Sequence, residues 1–348
     1  MKIVRKKDYD KGLETYDHYL ALDWSKDNAT IARMRSQSKE PQVIKMAADI
    51  KEVKAYLKRL SGRKILTIEE TTTSHWLYVG LKESVEKILI CDAFRNKLLN
   101  EGAKTDKIDA RKLCQLLRGG LLKEVYHSLN ESYKIRKLVS AYEDLVKAGV
   151  RVKNQRSALY LAEGLNYKRD KIDNSNELLS FIEETQRRSI ELYQNEKKRY
   201  ENIFYGIKKK HPVIKKLCQI SGIGLITAIT IYAKVIDARR FANKYKYWSY
   251  CGLVKNEKRS GGKLYGKRNP RYSRRLKSAY KTAALAAITH KNDICEYYNY
   301  MINQGLNMED ARNGIARYIA KVSYAIMKNG TDYIPYKWRE SKESKTAA

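Results

Sequence analysis

Several acidic side chains occur where they could act together on a metal ion. Asp23 ends an apolar stretch typical of a strand, and Glu69 and Glu70 end another. Asp106 and Asp109 are three residues apart in a helical pattern, which puts them on one face of a helix. Carboxylate oxygens are the ligands that Mg²⁺ prefers, and paired ions can hold the attacking and leaving oxygens of a phosphodiester. The pattern therefore permits metal-assisted phosphoryl transfer.

A simpler interpretation of the same acids stays open at this point. Each of them could be an ordinary surface carboxylate. The pair Asp106 and Asp109 could cap a helix start and balance its positive end. Spacing alone does not separate these alternatives.

A second chemical group lies in a strongly basic segment. Residues 255–281 contain eleven Lys or Arg and one acid, Glu257, which gives a local charge of +10. Ser260 lies within this segment, between Arg259 and two glycines, where a phosphate could approach closely. A serine hydroxyl is a poor nucleophile unless a base or a metal activates it. On its local sequence, Ser260 is therefore predicted to contact a phosphate or to form a turn.

Residues 217–228 (LCQISGIGLITA) have the form of a helix-hairpin-helix. Gly222 and Gly224 allow a tight turn and expose backbone amides at the start of the next helix, a favourable place for a phosphate. The alternative is a plain turn between two helices.

The elements that would position these residues follow from the hydrophobic pattern. Strands are predicted at 18–23, 29–34, 42–46, 64–68 and 86–91, and helices at 47–60, 74–81 and 105–117. Three adjacent strands followed by alternating helix and strand favour a mixed sheet covered by helices, a ribonuclease-H-like arrangement. The fold class is thus α/β followed by α.

Beyond about residue 130 the pattern becomes helical. Two long helices joined near residues 164–174 are predicted, with Leu138, Leu145, Val152 and Leu159 forming a heptad-like seam of a coiled-coil hairpin. Pro212 breaks the second helix. The predicted domains are 1–128, 129–210 and a mainly helical 211–338, followed by a disordered tail at 339–348.

Composition restricts the class of protein. The chain has 348 residues and a formal net charge of +32, so an anionic partner such as a nucleic acid is expected. Five scattered cysteines without a Cys-x-x-Cys motif argue against a zinc ribbon or a disulfide framework. No apolar stretch is long enough for a bilayer. A reducing, cytoplasmic location without a membrane is expected.

Taken together, these segments resemble the DEDD insertion-sequence transposases, which are bridge-RNA-guided DNA recombinases. The resemblance extends from about residue 19 to 338. Residues 20–26 (LALDWSK), 70–76 (ETTTSHW) and 104–111 (KTDKIDAR) resemble the three acidic motifs, and 259–263 (RSGGK) resembles the segment that carries the nucleophilic serine. Trp76 sets the register of the second motif, which assigns Glu70 rather than Glu69.

The resemblance implies the roles of the site residues. The N-terminal domain would be RuvC-like and would hold Mg²⁺ or Mn²⁺ on Asp23, Glu70, Asp106 and Asp109. Ser260 would attack a DNA phosphodiester and form a covalent phosphoserine link, which permits rejoining without ATP. The residues expected to bind nucleic acid are Gly222, Gly224, Lys258, Arg259, Lys263, Lys267, Arg268, Arg271, Arg274 and Arg275.

The resemblance also implies partners. Double-stranded donor and target DNA would be chosen by a structured noncoding guide RNA through base pairing. The protein would be a homo-oligomer, a dimer or tetramer, in a bacterial or archaeal cytoplasm in association with the nucleoid. Its catalytic sites would combine the RuvC-like domain of one subunit with the serine domain of another.

Two alternative functions belong to different classes. In a plain RuvC-like nuclease, metal-activated water attacks the DNA and Ser260 only binds phosphate. In a non-catalytic RNA-binding scaffold, the acidic site is inactive. The presence of all the acids counts against the scaffold, and the Ser-Gly-Gly segment counts against the simple nuclease.

Overall fold

The structure is a computed structural model that describes residues 15–92, 105–127, 132–173 and 175–339. The chain divides into two compact units, residues 1–129 and residues 130–348. The boundary lies close to the predicted end of the first domain. The predicted hairpin and C-terminal segments, 129–210 and 211–338, fall in one unit, and their separation into two domains stays a prediction.

The first unit contains a five-stranded mixed sheet. Its strands are β1 (His18–Trp24), β2 (Asn28–Arg35), β3 (Gln42–Ala47), β4 (Lys64–Glu69) and β5 (Lys87–Cys91). The spatial order is β3-β2-β1-β4-β5, in which β3, β2 and β1 pair antiparallel, and β1, β4 and β5 pair parallel. The predicted mixed-sheet domain is confirmed.

Helices cover both faces of this sheet. They are α1 (Ile50–Arg59), α2 (Ser74–Leu81) and α3 (Asp106–Arg118). Helix α1 begins three residues later than predicted because the Asp49 carboxylate caps it by accepting a hydrogen bond from the Lys51 amide. Alternating side chains of β1 point to opposite faces, so Leu20 and Leu22 join one core and Ala21 joins the other.

The second unit opens with two long antiparallel helices, as predicted. They are α4 (Ser132–Ala162) and α5 (Glu177–Lys210). The four predicted seam positions, Leu138, Leu145, Val152 and Leu159, are partly buried, and Leu138 packs against the core of this unit. The residues of α4 that are buried are Ser132, Ile135, Val139, Tyr142, Gly149 and Tyr160.

The two long helices approach each other closely at Gly149. A Cβ on this glycine would lie 2.3 Å from the Tyr193 ring of α5. The absence of a side chain at Gly149 therefore allows the tyrosine ring to pack against the α4 backbone. Tyr142 of α4 also packs edge-on against Phe204 of α5, with ring centroids 5.3 Å apart.

The remaining elements form a mainly helical core with one two-stranded sheet. They are α6 (Pro212–Leu217), α7 (Leu225–Val235), a 3₁₀ turn (Ala238–Arg240), α8 (Lys244–Tyr250), β6 (Asn256–Ser260), β7 (Lys263–Arg268), α9 (Arg274–Ile288), α10 (Asp293–Asn303) and α11 (Met308–Asn329). Pro212 begins α6 directly after α5 ends, as predicted. One hydrophobic core joins α4 and α5 to these helices through Val139 and Phe204.

Three further expectations concern the cysteines, membrane-spanning helices and the C-terminal tail. The five cysteines all lie in the described ranges, and none of them forms a disulfide there. None of the helices within the described ranges is long and apolar enough to cross a bilayer. Of the predicted disordered tail, only Arg339 is described, and it forms an ion pair with Glu296; residues 340–348 lie outside the described part.

Candidate active site

Helix α3 and the sheet of the first unit bring several acids together. The apolar side of α3 (Ala110, Leu113, Cys114 and Leu117) packs on the face of the sheet formed by Tyr19, Ala21 and Met34. The Cys114 thiol donates a hydrogen bond to the Tyr19 carbonyl at 3.3 Å, which fixes the helix on β1. Asp23 belongs to the same alternating set as Tyr19 and Ala21, so it lies on the face that α3 covers.

The start of α3 carries both of its predicted site residues. Thr105 caps the helix by accepting a hydrogen bond from the Ile108 amide, and Asp106 and Asp109 occupy the first turn. Asp106 is exposed and Asp109 is half-buried. In this position the two acids also balance the positive end of the helix, so the capping role considered from the sequence is compatible with the structure.

The electrostatics of Asp23 show which acids are its neighbours. Burial, reinforced by the negative charges of Asp106, Glu69 and Asp109, raises the pKa of Asp23 from 3.8 to about 6. A hydrogen bond from the Trp24 amide acts in the opposite direction. The structure thus brings Asp23, Asp106 and Asp109 into one electrostatic cluster, as predicted.

The glutamate that joins this cluster is Glu69. Strand β4 pairs parallel with β1, and Leu22 is opposite Ile68, so Glu69 follows in register with Asp23 and on the same face. Glu70 comes after the end of β4, where its amide donates a hydrogen bond to the Cys91 carbonyl at 3.0 Å and its side chain is exposed. After burial and the charge of Asp106, it is the charge of Glu69 that raises the pKa of Asp23.

The donor set of the cluster fits a hard divalent cation. A carboxyl group whose pKa is raised by other carboxylates is destabilised when charged, and a cation of charge two would relieve that repulsion. Within the described ranges, no three His, Cys, Asp or Glu side chains are close enough to hold a metal ion as they stand. Binding would therefore require small movements of the acids toward one another.

Ser260 lies at the tip of an exposed two-stranded hairpin in the second unit. We call this hairpin, β6 with β7, the basic ribbon. Ser260 pairs with Lys263 across Gly261 and Gly262, whose φ angles of 54° and 78° are those of a two-residue type I′ turn. A Cβ at either glycine would meet no atom within 4 Å. The Ser260 hydroxyl is thus open to a large ligand such as a duplex.

The local surroundings of Ser260 offer cations but no base. In the part of the chain that the structure describes, its hydroxyl forms no hydrogen bond. Every residue of β6 is exposed, and β7 is exposed except for the half-buried Gly266. The sequence interpretation of a basic loop missed these strands, although the Gly-Gly pair is a known signal of a tight hairpin.

The predicted nucleic-acid-binding residues divide into exposed and packed ones. Lys258, Arg259, Lys263, Lys267, Arg268, Arg271 and Arg274 are exposed. Arg275 is half-buried, forms an ion pair with Glu143 of α4 and donates a hydrogen bond to the Ser140 hydroxyl at 3.2 Å. Arg275 therefore links α9 to α4.

The two glycines of the predicted helix-hairpin-helix have different roles. Gly222 has a φ of 86°, and a Cβ there would lie 2.2 Å from the Ala283 carbonyl oxygen, so α9 packs directly on its backbone. Gly224 is exposed and caps α7 without a side-chain hydrogen bond. The backbone amides after Gly224 are the ones placed to meet an anion.

Comparison with known families agrees with these two sites. Residues 20–161 match a DEDD transposase family of the IS110 group, and residues 214–299 match the transposase family described as IS116/IS110/IS902. The first match includes all of the acids described above, and the second includes Ser260.

A relative among curated proteins points to the same group. Over 124 residues the chain is 30% identical to an uncharacterized protein of insertion element IS110 from Streptomyces coelicolor. The alignment covers 35% of this chain and 31% of the relative, so the chain spans about a third of that relative's length. The two family matches together cover well over half of the chain. The chain therefore belongs to the DEDD insertion-sequence transposases of the IS110 family.

Proposed function

We propose that this chain is a transposase that cuts and rejoins the DNA of an insertion sequence, with Ser260 as its nucleophile. One observation carries the proposal: Ser260 is exposed at the tip of the basic ribbon, beside two glycines that leave space for DNA. Membership in the transposase family supports the DNA substrate. The net charge of +32 supports partners with phosphate backbones.

The proposed reaction is a transfer of a phosphodiester to the serine. The Ser260 oxygen attacks phosphorus and gives its proton to solvent, one P–O bond to the DNA breaks, and the leaving oxygen takes up a proton from solvent to become a DNA hydroxyl. The phosphoserine bond keeps the energy of the broken bond, so the hydroxyl of another strand can attack it and restore both the DNA linkage and the serine. Lysines and arginines of the basic ribbon offset the negative charge that develops on the phosphate.

The acid cluster would hold Mg²⁺ or Mn²⁺ through Asp23, Asp106, Asp109 and a glutamate. Such an ion supplies positive charge to the phosphate and favours deprotonation of the attacking hydroxyl. We assign the glutamate to Glu69, because its strand places it beside Asp23. Glu70, the residue indicated by the motif register, is the alternative.

Two further parts of the proposal come from the resemblance alone. A structured noncoding RNA would select donor and target DNA by base pairing, and the working form would be a homo-oligomer. Phosphate contacts would come from the exposed basic residues and from the amides after Gly224.

A metal-dependent nuclease is the second candidate. The observation that favours it is the lack of a hydrogen-bonded base at Ser260 in the described part of the chain. In that mechanism the acid cluster would activate water, and the DNA would be left cut rather than rejoined.

A recombination assay tests the proposed function. The full chain would be incubated with Mg²⁺, the RNA transcribed from the DNA flanking its gene, and supercoiled plasmids carrying an element end and a target. We expect new donor–target junctions, read by sequencing across them, and none without the RNA. Linear cut plasmid without junctions would contradict the proposal and support the nuclease.

The choice between the two glutamates gives a separate prediction. Glu69→Gln is expected to reduce junction formation about 1,000-fold, since removing a ligand of a catalytic metal costs several kcal/mol of transition-state stabilisation. Glu70→Gln, which changes an exposed side chain next to it in the sequence, is expected to cost less than about fivefold. Initial rates of junction formation measure both. A larger loss of rate for Glu70→Gln than for Glu69→Gln would contradict this assignment and support Glu70, the residue indicated by the motif.

A further inference from the structure

The basic ribbon has two chemically different faces. Residues directly opposite each other in an antiparallel pair lie on one face, and neighbours along a strand alternate. The Ser260 face consists of Asn256, Lys258, Ser260, Lys263, Gly266 and Arg268, and the opposite face consists of Glu257, Arg259, Leu264 and Lys267. A bulge beside Lys258 and Arg259 accommodates Tyr265 as the extra residue of β7.

The two faces differ in how far their positive charges are neutralised by acids of the ribbon. On the opposite face, the Arg259 guanidinium binds the Glu257 carboxylate at 2.8 Å, and Lys267 lies across from that glutamate on β7. The Ser260 face holds Lys258, Lys263 and Arg268 and no acid. The positive charges on the Ser260 face are therefore not neutralised within the ribbon.

The Ser260 face also offers space. Gly266 is opposite Lys258 and has no side chain, and a Cβ there would meet no atom within 4 Å. Together with Gly261 and Gly262 at the tip, the half-buried Gly266 leaves three positions near Ser260 without a side chain. A glycine inside a strand is typical of a place where another backbone approaches closely.

We propose that the basic ribbon lies with its Ser260 face on the sugar–phosphate backbone of duplex DNA. This inference rests on the proposed function and deepens it. Lys258, Lys263 and Arg268 bind the phosphates flanking the one that Ser260 attacks, and so set the register of the hydroxyl on the strand. Arg259 and Lys267 point away from that strand and contribute mainly to the general field of the protein.

Two double variants of equal charge test the assignment. Lys258→Gln with Lys263→Gln removes two cations from the Ser260 face, and Arg259→Gln with Lys267→Gln removes two from the opposite face. The probe is a fluorescein-labelled duplex carrying an element end, titrated at several salt concentrations. The rate of covalent protein–DNA adduct formation on the same duplex in Mg²⁺ is the second measurement.

The expected results separate the faces. Loss of two phosphate contacts lowers the slope of log affinity against log salt by about 2, because each neutralised phosphate contributes about 0.9. We expect this change, and an adduct rate at least about 100-fold lower, for the Ser260-face variant. For the opposite-face variant, the adduct rate should fall less than about tenfold. Its salt slope should change by less than about half of the change expected for the Ser260-face variant. Equal losses, or a greater loss for the opposite-face variant, would overturn the inference.

The Ser260→Ala protein distinguishes the failure of this inference from that of the proposed function. If that protein still forms the adduct, the proposed nucleophile is wrong, whatever the two faces do. If it forms none but the two double variants behave alike, the nucleophile stands and the orientation of the ribbon is wrong. The inference would also be overturned if the Ser260-face variant changed the salt slope for binding of the guide RNA but not for binding of the duplex. That result would mean that this face binds RNA.

Discussion

Replacing Ser260 with alanine is expected to abolish strand exchange and the covalent protein–DNA adduct, with a loss of at least about 10⁴-fold. The variant removes one exposed hydroxyl at the tip of the basic ribbon and leaves its cations in place. Affinity for duplex DNA should therefore stay within about twofold of the unsubstituted protein, since phosphate contacts dominate binding. Junction sequencing, denaturing gels and fluorescence titration measure the three quantities.

Ser189→Ala is a suitable control for this variant. Ser189 is exposed on α5, and its hydroxyl donates to the Thr185 carbonyl within the same helix, so its loss should not alter recombination. Junctions formed by the Ser260→Ala protein at a rate near that of the control would eliminate the proposed nucleophile. Loss of DNA binding in the same protein would instead show a folding or docking defect.

Asp23→Asn is expected to abolish recombination while making the metal-free protein more stable. The pKa of Asp23 is raised from 3.8 to about 6, so its ionised form is disfavoured in the folded state. The penalty is absent at pH values below 3.8, grows as pH rises through about 6, and is complete at pH 7.5. Asparagine carries no charge, so the variant does not have this energetic penalty. The gain should be about 1 kcal/mol at pH 7.5, after allowance for solvent screening of a partly exposed group.

Thermal melts without divalent metal, at pH 7.5 and at pH 4, measure this effect. The stabilisation by Asp23→Asn should be present at pH 7.5 and mostly lost at pH 4, where the carboxyl group is largely protonated in the folded protein. Asp27→Asn is the control, because Asp27 is an exposed acid four residues further on. A destabilised Asp23→Asn protein at pH 7.5, or one that still recombines in Mg²⁺, would contradict the acid cluster as a metal site.

The regular elements of the fold could be predicted from the sequence where one face is buried. In β1, Leu20 and Leu22 alternate with Ala21 and Asp23, and this period of two is readable because the two faces meet different cores. The same is true of α3, whose apolar side packs on the sheet. The basic ribbon has no buried face, so hydrophobic periodicity could not indicate it.

The packing of the two long helices was harder to predict from the sequence. A run of residues seven apart, such as Leu138 and Leu145, predicts a coiled-coil seam, but packing is decided by the partner surface as well. Tyr193 of α5 packs where Gly149 of α4 has no side chain. One sequence does not show which residue of α5 meets which residue of α4.

The grouping of the three aspartates could be predicted, but the choice between the two adjacent glutamates could not. Asp23, Asp106 and Asp109 follow from strand ends and helical spacing, and the electrostatic environment of Asp23 includes both of the other aspartates. Glu69 and Glu70 are adjacent, so composition and spacing treat them alike. Only the pairing of β4 with β1, which depends on strand register, places one of them beside Asp23.

The central claim, covalent catalysis by Ser260, is tested most directly by locating the protein–DNA bond. Reactions would be stopped under denaturing conditions, digested with nuclease and protease, and analysed by mass spectrometry. We expect a nucleotide joined through phosphate to Ser260, in a peptide from the basic ribbon. Cleaved DNA with free phosphate ends and no attached peptide, or a nucleotide attached to another residue, would contradict it.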